Sequence, residues 1–206
     1  MSVKKSFINK YNNLTLFDFA HIPKCAGQYF AEFFKSDSQI NMLGHIRDGK
    51  KKDMPLKRLH KLNKFTIIRE PLSRFESYLN YSLEFGYFQK YFPYDLLMEK
   101  DDKGFDLNYM VNQMSDDFIV KGEGLFRNYT FWTEGMDYVF TIHQFEKIYE
   151  ILNENFREKL NDPKAKMYKN KSSKHWGSFD LRTKTRLKKL FHKDIVIFNK
   201  FDNQPF

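Results

Sequence analysis

A short apolar run at residues 14–20 stops at His21-Ile22-Pro23-Lys24, passes the small residues Ala26 and Gly27, and leads into a stretch, 28–35, that can be helical. Strand, tight loop and helix start, in that order, constrain the chain more than any other feature. A helix begins with backbone N–H groups that have no partner inside it, and its dipole is positive there. Such a junction is suited to an anion. Gly27 lets the backbone approach a ligand closely, and Lys24 adds a mobile point charge. Taken alone, the same residues also describe an ordinary strand-to-helix turn with an exposed lysine, because the phosphate-loop pattern G-x-x-x-x-G-K-[ST] is absent.

A second junction lies at residues 65–79, Phe-Thr-Ile-Ile-Arg-Glu-Pro-Leu-Ser-Arg-Phe-Glu-Ser-Tyr-Leu. The apolar run ends in Arg69. Pro71 opens a helix, a position that needs no N–H, and Ser77 follows two turns on. A guanidinium fork with a hydroxyl suits a phosphate. With the first stretch, His21-Ile22-Pro23-Lys24-Cys25-Ala26-Gly27, this segment resembles the two cofactor motifs of the carbohydrate sulfotransferases, enzymes that use 3′-phosphoadenosine 5′-phosphosulfate (PAPS) and release 3′-phosphoadenosine 5′-phosphate (PAP). The likeness is to the uronyl/heparan 2-O-sulfotransferase branch. It implies that Lys24, Cys25, Ala26, Gly27, Gln28 and Tyr29 form a 5′-phosphosulfate loop, with Arg69 and Ser77 at the 3′-phosphate. It also implies a P-loop nucleotide-kinase-like fold. Residues 137–146 and 170–198 resemble later parts of the family, including a C-terminal cofactor loop in which Ser172, Ser173 and Lys174, with Asn170, close over the nucleotide.

The remaining chain agrees with that class of fold. Short strands are expected at 39–43, 64–69, 136–142 and 166–168, and helices at 56–62, 72–87, 145–160 and 181–192, the last capped by Asp180. Short helices and loops are expected over 88–135, a basic loop over 169–177, and an apolar tail at 195–198. Strands alternating with helices predict an α/β fold, a mainly parallel central sheet flanked by helices. Ligands of such sheets sit beyond the carboxyl ends of the strands, which puts Lys24, His45 and Arg69 on one rim.

At 206 residues the chain suits a single domain, 1–206, and its 23 Phe and 12 Tyr predict a phenylalanine-rich core. A net charge of +9 calls for an anionic partner, whether nucleic acid, acidic glycan or nucleotide. The lysines are dispersed and no DNA or RNA module is recognisable, so no nucleic-acid partner is expected. The one cysteine, Cys25, excludes an intrachain disulfide. No run of eighteen apolar residues occurs and residues 1–13 are polar, so no membrane span is expected; the chain reads as a soluble, cytoplasmic protein of bacterial or viral origin. Oligomeric state is not legible.

Sulfuryl transfer requires deprotonation of an acceptor hydroxyl, stabilisation of the bridging oxygen and in-line positioning. Lys24 suits the bridging oxygen. His45 suits the base, by its chemistry and because Gly44-His45 resembles the Gly-His that supplies the base in the 2-O branch. The acceptor implied is a hydroxyl of a glycan. No metal is needed. His21 reads as a loop-shaping buried residue and Arg74 as a brace; Phe131, Trp132 and Trp176 read as core, or as rings for stacking. His143 has no supporting context. The loop departs from the family in placing Cys25 where a hydroxyl is usual and Gln28-Tyr29 where a hydroxyl pair is usual. Three other readings remain: an impaired PAP-binding relative, a kinase on the same fold, and a basic nucleic-acid-binding domain.

Overall fold

The computed structural model describes residues 17–26, 40–42, 63–85, 100–101, 104–121, 128–144, 148 and 177–203. Three strands come first, β1 (Phe17–Ala20), β2 (Ile40–Met42) and β3 (Asn63–Ile68), followed by helix α1 (Pro71–Glu84). A two-residue pair, β4 (Lys100–Asp101) and β5 (Gly104–Phe105), precedes α2 (Leu107–Gln113), α3 (Asp116–Lys121) and α4 (Tyr129–Thr133). Strand β6 (Tyr138–Thr141), a 3-10 turn (Ile142–Gln144), α5 (Leu181–Leu190) and α6 (His192–Asp202) complete the described elements.

Strands β2, β1, β3 and β6 form one sheet in that order, and every pairing in it is parallel. The α/β character expected of the sequence is therefore present. Phe65 to Ile68 are all buried, as a strand covered on both faces requires. Phe19, Phe65 and Phe140 share one face, Phe19 stacking on Phe65 at 4.9 Å and Phe65 meeting Phe140 edge-on at 6.3 Å. On the other face Ile68 and Val139 pack with Ile22, Cys25, Tyr129, Trp132 and Phe198. A second core joins Leu72, Phe75 and Leu79 of α1 to residues of α2 and α5. In it Phe75 lies between Phe179 at 6.0 Å and Phe191 at 5.3 Å.

Local chemistry sets the helix ends. Pro71 stands in the first turn of α1, and the Glu70 carboxylate accepts hydrogen bonds from the Leu72 and Ser73 amides at 3.1 and 2.7 Å. Asp180 caps α5 as expected, accepting from the Thr183 amide at 2.6 Å. The apolar tail is a correction. Residues 195–198 lie inside α6, because the Phe191 amide closes α5 on Leu187 and Lys189 while the Phe191 carbonyl accepts from Ile195 to start a new helix. The helices, short strand and loop expected at 28–35, 56–62, 145–160, 166–168 and 169–177 lie outside the described residues, apart from Ile148 and Gly177. No helix among the described residues is long and apolar enough to cross a membrane.

Arg186 fastens α5 to the turn between α2 and α3. Its guanidinium donates to the carbonyls of Val111 at 2.7 Å and Met114 at 2.6 Å, and to the Asp116 carboxylate. Arg186→Ala should lower stability by about 2 kcal/mol, since charge-assisted bonds are lost and two carbonyls are left to find water. A fall in the urea midpoint with unchanged slope would show it. Arg186→Lys should rescue little, because an ammonium cannot present the fork.

Candidate functional site

The strand order reverses between β1 and β3: the chain goes from β1 to one neighbour, β2, and then to the other, β3. In open parallel sheets, ligands sit beyond the carboxyl ends of the strands at such a reversal. The segments that emerge there are residues 21–26 and Arg69-Glu70.

The first segment is a turn closed by the Cys25 amide, which donates to the Ile22 carbonyl at 3.3 Å. Lys24 and Ala26 both have left-handed backbones, with φ of 64° and 56°. In residues other than glycine that conformation costs roughly 1–2 kcal/mol each and persists only where the surroundings enforce it. The sequence points to Gly27 for conformational freedom; Gly27 lies outside the described residues, and in the described part of the turn the left-handed backbone falls on Lys24 and Ala26. Cys25 is buried, and burial pushes its thiol pKa up. Its side chain faces the core and its amide closes the turn, so the polar groups of Cys25 are engaged inside the protein. It packs; it is not a reactive thiolate.

Lys24 reaches along α1, its ammonium 4.0 Å from the centre of the Tyr81 ring. Its pKa is lowered from 10.5 to about 8, first by burial and next by the charge of Arg69, with Glu84 pulling the other way. Lys24 and Arg69 therefore share an electrostatic environment. The Arg69 Nε is buried, with no hydrogen-bond partner among the described residues. Ser77, half-buried, precedes Tyr81 by four residues on α1 and so lies on the same helix face. The charge of Arg69 acts on Lys24, and the Arg69 guanidinium keeps one donor without a partner among the described residues. An anion between them would relieve both their repulsion and that unmet bond.

Other residues frame this pair. Arg74 is 1% exposed, donates from Nε to the Pro23 carbonyl at 3.2 Å, and faces the Tyr129 ring at 5.0 Å. It braces the loop. His21 is buried and stacks on Phe19. Trp132 is wholly buried, and Phe131 meets it edge-on at 5.2 Å. His143 is exposed, with Nδ1 3.2 Å from the Asp202 carboxylate. His45, Gly27, Gln28, Tyr29, Asn170, Ser172, Ser173, Lys174 and Trp176 lie outside the described residues.

Sequence reasoning missed three residues. Tyr81 could have been found from its spacing to Ser77. Tyr129 and Asp194 carried no local signal: the Tyr129 hydroxyl meets the backbone of Arg69, and its amide donates to Asp194 at 3.0 Å. Burial raises the Asp194 pKa, against the pull of that amide and of Arg74. Comparison with protein-family models, with curated proteins and with solved structures returns no match.

Proposed function

We propose that the chain is a PAPS-dependent sulfotransferase acting on a hydroxyl of a carbohydrate, built on a nucleotide-kinase-like α/β fold. The observation that supports it best is the cation pair: Lys24 after β1 and Arg69 after β3, near enough for one charge to depress the other, with the Arg69 Nε unpartnered among the described residues. A nucleotide phosphorylated at both ends would satisfy both. Arg69 and Ser77 hold the 3′-phosphate, which separates this cosubstrate from ordinary nucleotides. The Lys24 ammonium stabilises the charge that grows on the bridging oxygen as the sulfur–oxygen bond to the 5′-phosphate breaks. His45 takes the proton from the acceptor hydroxyl, whose oxygen forms the new bond to sulfur.

The inward-facing Cys25 favours a second reading, a PAP-binding relative with weak turnover, because no hydroxyl is presented at that loop position. Calorimetry separates the possibilities. PAP should bind at least about tenfold tighter than adenosine 5′-phosphate, the worth of one charge-assisted phosphate contact. Equal affinities would overturn the proposal. Affinity that vanishes at moderate salt would point to nucleic acid instead. An acceptor screen with labelled PAPS then distinguishes turnover from binding alone, and transfer without magnesium excludes a kinase.

A further inference from the structure

We infer that Tyr129 is a positioning residue whose hydroxyl pins the loop carrying Lys24 to the strand end carrying Arg69, and so sets the span over which one ligand can touch both. The inference rests on the nucleotide reading of this rim. Tyr129 is wholly buried. Its hydroxyl donates to the Arg69 carbonyl and accepts from the Arg69 amide at 3.2 Å. The Cys25 sulfur lies 3.9 Å from the same oxygen. A phenol has one hydrogen to give, and the Arg69 carbonyl receives it, so the thiol is the donor to the phenolic oxygen. Burial keeps that thiol protonated. One atom thus ties together two segments that are distant in sequence.

The tyrosine is itself held from behind. Its amide is fixed on the Asp194 carboxylate at 3.0 Å. Its ring faces the Arg74 guanidinium, which in turn holds the Pro23 carbonyl. Helix α4 therefore grips the first loop twice, through the hydroxyl and through Arg74. A buried tyrosine often meets its hydroxyl need with any nearby carbonyl. Here the partners are the very residues that place the two cations. A displacement of about 1 Å at such a site can cost a hundredfold in rate.

Tyr129→Phe keeps the ring, the Asp194 bond and the contact with Arg74, and removes the pin alone. Lys24 reports the consequence without any ligand, through a nuclear magnetic resonance titration of its ε-methylene. Its pKa should move up from about 8 toward 10.5 as Arg69 and the packing around the ammonium draw away. PAP affinity should fall about tenfold, while adenosine 5′-phosphate and adenosine 3′-phosphate, each needing one end only, change less than about twofold. A Lys24 titration unchanged from wild type overturns the inference, whatever the affinities do. Wild-type protein that fails to prefer PAP would overturn the nucleotide reading, and the titration would still decide the role of Tyr129. Should Tyr129→Phe not fold, Cys25→Ala removes only the thiol arm and should move Lys24 the same way by less; no movement there overturns the inference too.

Discussion

Lys24→Ala is expected to lower sulfuryl transfer by about 10²–10³-fold, while PAP affinity falls by less than about tenfold. The asymmetry follows from what the ammonium does. In the proposed reaction it would stabilise charge that appears on the bridging oxygen only as the bond to sulfur breaks, and loss of one such donor typically costs 10²–10³ in rate. Ground-state binding keeps Arg69 and its partners. The pH profile adds a second signature. In the free protein Lys24, with a pKa of about 8, loses its charge as pH rises through that value, so kcat/KM for PAPS, which reports the free enzyme, should decline there. Lys24→Arg should push the decline out of the accessible range, because a guanidinium stays protonated. Folding is linked to the same titration. The folded chain binds fewer protons at Lys24 than the unfolded chain between about pH 8 and 10.5, so this residue makes stability rise with pH across that window. An anion returns the ammonium toward its ordinary pKa, and PAP binding near pH 9 should therefore take up a proton. Calorimetry in buffers of different ionisation enthalpy reads that uptake directly. His45→Ala offers the contrast, with turnover lost and affinity nearly intact.

The strands of the main sheet were legible because buried parallel strands must be short, apolar and bounded by breakers. The runs expected at 14–20, 39–43, 64–69 and 136–142 satisfy that condition, and each contains most or all of a described strand, Phe17–Ala20, Ile40–Met42, Asn63–Ile68 and Tyr138–Thr141. The shared rim was legible for a topological reason: parallel strands place all their carboxyl ends on one edge. Residues 88–135 were legible only as short helices and loops; the described part of them holds the short helices α2, α3 and α4 and, beyond that expectation, the β4–β5 pair. Their contribution to the rim was not. Periodicity reports which face of a helix is apolar, but not what a hydroxyl in α4 meets across the fold. Tyr129, 60 residues from Arg69 and 104 from Cys25, is the clearest case. The β4–β5 pair is too short to show alternation. The boundary between α5 and α6 carries no glycine or proline, so the sequence offered nothing to mark a second helix.

Arg69→Ala should separate recognition from stability. PAP affinity is expected to fall ten- to a hundredfold, roughly the 1.5–3 kcal/mol of charge-assisted bonds to one phosphate. Affinity for adenosine 5′-phosphate should change little, so the preference for a 3′-phosphate collapses. The fold should not suffer. What the protein uses of Arg69 structurally is its backbone, whose amide and carbonyl meet the Tyr129 hydroxyl, and alanine keeps both. What alanine removes is a cation whose buried Nε has no partner among the described residues and whose charge acts on Lys24. Removing an unsatisfied buried donor and a like-charge repulsion favours the folded state. The melting temperature of Arg69→Ala should therefore equal or exceed that of wild type, and the Lys24 pKa should rise as its neighbour's charge goes. Arg69→Lys keeps the charge without the fork and should retain the depressed Lys24 titration while losing most of the 3′-phosphate preference. A variant that binds PAP as wild type does would remove Arg69 from the site; one that melts well below wild type would make its side chain structural instead.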